Sequence, residues 1–560
     1  MILAVYYPAL LSGIHPVDDP GILAHYSTSP PISAILLPGN GYYYRPILEL
    51  SFYLDNLLWG MEPGIMHLEN ILLHCANGLI VFLLAARRLG GASTAPTIHI
   101  IICRSNTLIP LLAALLFALH PVNVEAVAWI AGRTDLLLTL FILSSCFFWL
   151  RWIEKPRWQD MAGALLLFAA ALLTKETALA FGVVALLLVL VWPGSATVSQ
   201  RYKAIAITIA PVVLIVILAL VLRKGTNGLS RFLSGADLQF VQSTWQALIA
   251  LGFYVRKVVF PFPLNFAINV VHPLNGIFVL ALFPFFWWVF RQYRRSGVFF
   301  TAALLLVMPA LLIAVKQIAW TPFAERYLYL STAFVALGLV GICEEWKRKC
   351  PVLLRTFFVV LLCGSAIFSF QRNLLWKNPL SFFEDAVAKS PEFGSVYHSL
   401  GGLLLQQGEV DRASEAFITA DRLNKRASMR DLIRSSIMGA MLARGNNLEA
   451  RIYFFQLYKN KKAAPDVFLD LLYKADGKRF ESMENDGKAV LAQDMLETIG
   501  LLYLRKPDPF LLYQSGKIAL AIGKKNEAAD FFRRAYSTAP PDAHFKAAAK
   551  TYFLRLDAGK

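Results

Sequence analysis

The chain has 560 residues, of which 57% are hydrophobic and only 16% are charged. Soluble domains average about 45–50% apolar and about 25% charged residues, so this composition excludes an ordinary soluble enzyme. The formal net charge of +17 lies largely in short loops between apolar segments, without a basic stripe or binding motif, which argues against a nucleic-acid partner.

Apolar segments close to the ~20 residues that cross a bilayer recur as far as about residue 370. We therefore predict an all-α fold: a polytopic membrane helical bundle over residues 1–371, followed by a soluble helical domain over residues 372–560. The predicted spans, about 11 by the hydropathy criterion, are 1–14, 66–86, 107–120, 135–152, 161–174, 178–192, 204–222, 274–290, 297–315, 327–343 and 352–370. The first has no basic region or small-residue cleavage site, so it is interpreted as an anchor rather than a signal peptide.

Lysine and arginine concentrate in alternate loops, which the positive-inside rule places in the cytoplasm. These loops contain Arg87-Arg88 and Arg104; Arg151, Lys155 and Arg157; Arg201 and Lys203; Arg291, Arg294 and Arg295; and Lys347-Arg-Lys349. The N-terminus is then cytoplasmic, and residues 372–560 are extracytoplasmic. Because the chain contains no Asn-x-Ser/Thr sequon, the plasma (inner) membrane of a bacterium is favoured, with the endoplasmic reticulum membrane as the alternative.

The first outward loop contains Asp18 and Asp19 directly after the first span. A carboxylate at this place is suited to act as general base towards an acceptor hydroxyl, or to help bind a divalent cation. Loop capping is the alternative, since Asp-Asp-Pro also favours a turn. His120 and Glu125, after a later span, form a second candidate pair, although His-Pro at a span end also serves as a plain helix stop.

Three cation–acid pairs occur on the same predicted outward face. They are Arg133 with Asp135, Lys175 with Glu176, and Arg326 with Glu325. Charges at the mouth of a membrane bundle are costly, so a functional site is the default hypothesis. Together with Arg45, the pairs predict a cluster that binds the phosphate of a lipid-linked sugar. The alternative is that they hold neighbouring helices in register.

The C-terminal domain shows a repeat of roughly 34 residues, the tetratricopeptide period. The first unit has Leu400, Gly401, Gly408, Ala413, Phe417 and Ala420, and the last has Gly516, Gly523, Ala528, Phe532, Ala535 and Pro540. This pattern predicts a TPR-type α-solenoid whose concave face holds a protein. A packing spacer is the alternative.

Several stretches carry a family resemblance in their order and spacing. They are Tyr44-Arg-Pro46, Gly60 through His74, His120 through Asp135, Thr174-Lys-Glu176, Glu325 through Tyr329, and Trp376 through Asp385. With them, the chain resembles the transmembrane and tetratricopeptide-repeat O-mannosyltransferases of the GT-C superfamily and their bacterial relatives. The resemblance implies transfer of a sugar from dolichyl or undecaprenyl phosphate to a hydroxyl, commonly on Ser or Thr of a protein.

By this resemblance Asp18 or Asp19 is the catalytic base, and Arg326, helped by Lys175 or Arg133, binds the donor phosphate. The candidate catalytic residues are Asp18, Asp19 and Glu125. The candidate donor-binding residues are Tyr44, Arg45, His120, Arg133, Asp135, Lys175, Glu176, Glu325 and Arg326. No metal-ligand set is predicted, and no cofactor other than the divalent cation that the first-loop acids are suited to help bind. Two other functions stay open: a repeat-bearing membrane scaffold, and a lipid-linked glycan polymerase, ligase or flippase.

Overall fold

The computed structural model describes residues 1–39, 43–90, 107–191, 198–224, 226, 240–484 and 487–558. These residues form two compact units, Met1–Ser390 and Pro391–Lys560. Both are helical, and apart from one isolated bridge between Ile268 and Phe323 the described ranges contain no β structure. The prediction of an all-α fold is confirmed.

The first unit contains eighteen described α-helices. They are α1 (Ile2–Leu10), α2 (Asp19–Ser27), α3 (Ile32–Leu36), α4 (Pro46–Trp59), α5 (Pro63–Gly90), α6 (Leu108–Ala118), α7 (Val124–Ala128), α8 (Arg133–Glu154), α9 (Trp158–Thr174), α10 (Leu179–Val191), α11 (Val198–Leu222), α12 (Phe240–Val259), α13 (Ile277–Leu280), α14 (Leu282–Gln292), α15 (Arg294–Lys316), α16 (Tyr329–Lys349), α17 (Pro351–Lys377) and α18 (Pro379–Lys389). Single turns of 3-10 helix precede α7, α8, α10 and α16, at Pro121–Asn123, Ile130–Gly132, Glu176–Ala178 and Glu325–Leu328.

Within the described ranges, seven helices are long and apolar enough to cross a membrane. They are Pro63–Arg87, Ile130–Glu154, Ile205–Leu222, Pro273–Gln292, Arg294–Lys316, Glu325–Lys349 and Pro351–Lys377. Leu108–Ala118 and Pro121–Ala128, bent by 50°, add an eighth if counted as one span. Two more predicted spans correspond to the shorter apolar helices Trp158–Thr174 and Glu176–Val191, and the first corresponds to the nine-residue α1. The polytopic membrane architecture is confirmed.

The orientation and the identity of the membrane stay predictions. Arg104 and the side chains of Arg88, Arg201 and Lys203, on which the orientation partly depends, lie outside what the structure describes.

The first compact unit ends at Ser390, and the domain boundary that composition predicts at residue 371 stays a prediction. Helix α17 continues to Lys377, and α18 packs into the same unit through the buried rings of Phe382 and Phe383. The ring of Phe382 lies 4.5 Å from that of Trp376, measured between centroids. The amino-acid composition becomes polar before the packing of the first unit ends, because α18 has polar residues on one side and aromatic residues on the other.

The second unit consists of nine described α-helices. They are α19 (Gly394–Gln406), α20 (Val410–Leu423), α21 (Ala427–Ala443), α22 (Asn447–Leu457), α23 (Asp466–Ser482), α24 (Lys488–Arg505), α25 (Pro509–Ala521), α26 (Lys525–Thr538) and α27 (Lys546–Ala558). A Cβ atom on Gly401 would lie 2.7 Å from the ring of Phe417, and one on Gly516 would lie 2.7 Å from the ring of Phe532. Small residues therefore allow close helix packing at both repeat positions. The tetratricopeptide-type solenoid stays a prediction.

Candidate active site

Asp19 closes the first polar loop and is buried within it. Its Oδ2 accepts a hydrogen bond from the backbone N–H of His15 at 2.9 Å, and its Oδ1 accepts one from the N–H of Ala131 at 3.3 Å. Burial raises the pKa of the Asp19 carboxyl to about 7, against the opposing effect of these two hydrogen bonds. Asp19 thus anchors the loop at the start of α2.

Asp18 precedes α2 and its side chain is exposed. It makes no capping hydrogen bond to the helix. Desolvation by the surrounding protein raises the pKa of the Asp18 carboxyl, and the guanidinium groups of Arg326 and Arg45 oppose that rise. Of the two adjacent acids, Asp18 is the exposed one, and it interacts electrostatically with Arg326 and Arg45.

Arg326 is held in place by a carboxylate from a distant part of the chain. Its Nη1 donates a hydrogen bond to Oε1 of Glu125, whose side chain is only 1% exposed. Oε2 of Glu125 accepts from the backbone N–H groups of Glu325 at 3.1 Å and Arg326 at 3.3 Å. The guanidinium also lies 5.0 Å from the ring of Trp129. Glu125 and Trp129 therefore orient Arg326 at the turn before α16.

Lys175 lies beside Arg326 and is paired with Asp135. Its Nζ is 2.6 Å from Oδ1 of Asp135, and both side chains are at most 10% exposed. The ring of Tyr327 is between the two cations, 5.6 Å from Nζ of Lys175 and 5.0 Å from Cζ of Arg326. The extended backbone of Lys175, between α9 and the turn Glu176–Ala178, directs this side chain inward.

Arg45 joins the same place through Glu176. Its Nε and Nη2 donate to the two oxygens of Glu176 at 3.2 and 2.7 Å, a bidentate pair. Nε of Arg223, at the end of α11, lies 3.6 Å from Oε1 of Glu176. Pro46 starts α4 directly after Arg45, and the fixed φ of proline suits that first helical position. Arg45 thus lies at the N-terminus of α4, directly before its first residue.

We name Arg45, Lys175, Arg223 and Arg326 the cation cluster. Lys175 interacts electrostatically with both Arg45 and Arg326. Three carboxylates pair with the four cations, those of Glu125, Asp135 and Glu176, which leaves one net positive charge before Asp18 is counted. Such a cluster matches a singly charged phosphodiester, since guanidinium groups bind phosphate oxygens with favourable geometry.

Arg133 lies in a separate, buried network. Its donors reach Asp55 at 2.6 Å, Glu69 at 2.8 Å, Asn70 at 3.2 Å and the carbonyl of Met66 at 3.3 Å. The side chain is 2% exposed, and no member of the cation cluster is among its partners in the described ranges. The structure therefore places Arg133 where it joins α4, α5 and α8, although the sequence grouped it with the donor-binding residues.

Three further candidate residues make hydrogen bonds to other parts of the protein. Glu325 accepts from Nζ of Lys257 at 2.6 Å and from the N–H of Asn265 at 2.9 Å. Nε2 of His120 donates to the carbonyl of Val258 at 3.0 Å, while its Nδ1 accepts from Val122. The hydroxyl of Tyr44 donates to the carbonyl of Leu36 at 2.9 Å. These contacts hold loops around the cluster together.

Sequence reasoning missed Arg223 and Lys257, which pair with Glu176 and Glu325. Both lie on the predicted outward side, where the positive-inside rule depletes cations. Their position could therefore have marked them as candidate site residues. The packing role of Trp129 carried no such signal. Within the described residues no three His, Cys, Asp or Glu side chains form a group able to hold a metal ion, and a divalent cation at the first-loop acids stays a prediction.

The comparisons with known proteins cover part of the chain that builds this site. Residues 70–221 match the family model described as dolichyl-phosphate-mannose-protein mannosyltransferase. Protein O-mannosyl-transferase Tmtc1 of Drosophila melanogaster is 36% identical over 141 residues, which are 24% of this chain and 14% of the relative. The mouse protein O-mannosyl-transferase TMTC1 is 34% identical over 155 residues, 25% of this chain and 14% of the relative.

The human protein O-mannosyl-transferase TMTC4 is 40% identical over 106 residues, 18% of this chain and 14% of the relative. The matched segment thus spans 14% of the length of each of these three relatives. The segment that matches the family model, residues 70–221, contains Glu125, Asp135, Lys175 and Glu176, but neither Asp18 nor Arg326. The resemblance to O-mannosyltransferases of the GT-C superfamily is confirmed.

Proposed function

We propose that the protein is an integral-membrane glycosyltransferase that moves a sugar, by its resemblance mannose, from a polyprenyl-phosphate donor to a hydroxyl of a protein. The single observation that carries this proposal is that the loop with the exposed Asp18 lies beside the cation cluster. The indole of Trp129 lies 6.2 Å from the ring of His15 in that loop and 5.0 Å from the guanidinium of Arg326. A base near a phosphate-binding cluster is what this reaction requires.

In the proposed step, the oxygen of the acceptor hydroxyl attacks the anomeric carbon of the sugar. The bond from that carbon to the phosphate oxygen breaks, and its electron pair stays on the phosphate. The proton of the hydroxyl passes to the carboxylate of Asp18 and later to solvent. No other reactant is needed, and polyprenyl phosphate is the leaving group.

The charge of the phosphate group increases during this step, from one negative charge in the donor towards two in the leaving group. The net positive charge of the cation cluster therefore interacts more strongly with the transition state than with the donor, which is the condition for catalysis by charge. Glu125 and Asp135 keep Arg326 and Lys175 oriented for this role.

The site is proposed to open on the extracytoplasmic face, where a lipid phosphate lies just above the hydrocarbon and nucleotide donors are scarce. The proposed acceptor is Ser or Thr of a protein, bound by the repeat domain of residues 391–560. The plasma (inner) membrane is the proposed location, and the endoplasmic reticulum membrane is the alternative.

The test is transfer of radiolabelled mannose from polyprenyl-phosphate mannose to protein in membranes that contain the full chain. We expect Asp18→Asn to reduce turnover by about 10²–10⁴-fold, the usual contribution of a general base. Arg326→Met should reduce it by about 10²–10³-fold through lost charge stabilisation. The matched controls are Glu62→Gln and Arg157→Met, whose side chains are exposed and outside the cluster; both should transfer normally.

Wild-type turnover in both Asp18→Asn and Arg326→Met would refute the proposal. The mass of the product separates it from the polymerase, ligase and flippase alternatives: a single added hexose supports it, and a long glycan contradicts it. A scaffold would show no transfer in any membrane preparation.

A further inference from the structure

A box of aromatic rings encloses His15, three residues before Asp18. The imidazole is only 4% exposed, and its centroid lies 4.7 to 6.2 Å from those of five aromatic side chains. The five are Trp129, Phe266, Trp376, Phe382 and Phe383. Neither ring nitrogen of His15 has a hydrogen-bond partner in the described residues. Because an unpaired buried polar group costs stability, packing by the five rings must hold the imidazole there.

The box anchors the loop on one side of Asp18, and Asp19 anchors it on the other. The backbone N–H of His15 donates to Oδ2 of Asp19 at 2.9 Å, and Oδ1 of Asp19 accepts from Ala131 at 3.3 Å. Asp18 is the exposed residue between these fixed points. Its backbone therefore has little freedom as long as the box is closed.

One wall of the box is shared with the cation cluster. The indole of Trp129 lies 6.2 Å from the ring of His15 and 5.0 Å from the guanidinium of Arg326. Trp129 thus links the box to one member of the cation cluster.

Three of the five rings come from the last two helices of the first unit. Trp376 belongs to α17, and Phe382 and Phe383 belong to α18; all three are at most 3% exposed. The guanidinium of Arg372 in α17 lies 3.2 Å from the carboxylate of Asp385 in α18. The position of α18 therefore determines whether the box closes on His15.

Residue Ser390, just after α18, attaches this helix to the loop that supplies Phe266. The Oγ of Ser390 accepts from Asn265 Nδ2 at 2.8 Å and donates to the carbonyl of Ala267 at 2.5 Å. The end of α18 and the loop with Phe266 are thus joined as two walls of one box.

We infer that α18, through the aromatic box, positions the Asp18 carboxylate for removal of the acceptor proton, and that Phe382 is a positioning residue for transfer. This inference rests on the proposed function. Phe382 touches neither substrate nor cation cluster, and acts through His15 and the backbone of the loop.

The experiment measures turnover per donor-binding site in purified full-length protein. Sites are counted by binding of a short-chain polyprenyl-phosphate mannose without acceptor. In the series Phe382→Leu, Phe382→Val and Phe382→Ala, turnover per site should fall as ring volume is lost, to about 10²-fold below wild type for alanine, the effect of a displacement near 1 Å. The KM for the donor should not change. The control is Phe370→Ala, an exposed ring in α17, with wild-type turnover.

A purely structural defect would reduce the number of donor-binding sites and leave turnover per site unchanged in every variant that still binds donor; that result overturns the inference. The decisive measurement is a double mutant. In an Asp18→Asn protein, Phe382→Ala should cause no further loss, because both changes remove the same proton transfer. Losses that multiply would show that the ring acts elsewhere. If wild-type protein itself transfers no sugar, the proposed function fails rather than this inference.

Discussion

Arg133 and the carboxylates around it allow one prediction to be worked out in detail. The side chains of Arg133 and Asp55 are 2% and 4% exposed and 2.6 Å apart, so Arg133→Met leaves a buried carboxylate without its partner. Breaking a buried pair on one side typically costs about 3–5 kcal/mol in the free energy of unfolding. Glu69, which is 31% exposed, adds little because water screens it. We therefore expect a loss of about 3–5 kcal/mol above neutral pH.

The loss should depend on pH in a defined direction. Burial already raises the pKa of Asp55 to about 7, with Arg133 opposing the rise and Glu69 adding to it. Without Arg133, this folded-state pKa rises further above the unfolded value. A carboxyl with a raised folded-state pKa destabilises the fold when ionised, and this cost shrinks as pH falls through the folded pKa. The deficit of Arg133→Met should therefore diminish by about 1.4 kcal/mol per pH unit between that raised pKa and the wild-type value of about 7, and it should stay constant at lower pH.

The assay is thermal or denaturant unfolding of the detergent-solubilised protein at pH 5.5 and pH 8, together with donor binding below the unfolding transition. Asp55→Asn in the Arg133→Met background should restore part of the stability at pH 8, because it removes the uncompensated charge. Arg157→Met, at an exposed position, is the control for loss of a guanidinium. Normal stability with abolished donor binding in Arg133→Met would refute this reasoning and return Arg133 to the donor-binding residues.

Three more predictions follow from the loop acids and the repeat unit. Transfer should fall as pH decreases through the pKa of Asp18, because only the ionised carboxylate accepts a proton. Desolvation raises this pKa above its ordinary value. A pH–rate profile with no acidic limb above pH 4 contradicts this prediction. Asp19→Asn should cost about 1–3 kcal/mol, since its amide cannot accept at both oxygen positions, and unfolding curves against wild type measure it. Gly516→Ala should destabilise the second unit, because the new Cβ would lie 2.7 Å from the ring of Phe532. Limited proteolysis of that unit should then become faster. The control Gly500→Ala, whose Cβ would have no neighbour within 4 Å, should leave the rate of proteolysis unchanged.

The convergence of Lys175, Arg326 and Arg45 could be predicted because all three are cations on a face that normally lacks them. Their partners were predicted less well. Lys175 precedes Glu176 in sequence, yet it pairs with Asp135, while Glu176 pairs with Arg45. The side chains of Lys175 and Glu176 point apart because the extended Lys175 leads into a helical turn. Their ion pairs join residues 40 and 131 positions apart, and such pairs depend on helix packing that no local sequence pattern encodes.

The end of the first unit shows the same limitation. Composition changes near residue 371, where charged residues become frequent, but packing continues through α18 because Phe382 and Phe383 fill the box around His15. Both rings were visible in the sequence as part of an amphipathic helix. These two rings pack on His15, which lies more than 360 residues earlier in the chain. A single histidine has no sequence periodicity that would predict this contact.

Arg45, Lys175 and Arg326 each have an internal carboxylate partner, so the cation cluster is largely neutralised before any phosphate binds. We expect small free anions such as inorganic phosphate to gain little from such a cluster. In the proposed function, most of the donor affinity therefore comes from apolar burial of the polyprenyl chain, and the head group determines where the sugar sits. Because the carboxylates keep their cations oriented in this proposal, the spent carrier leaves the same set of ion pairs that the donor entered.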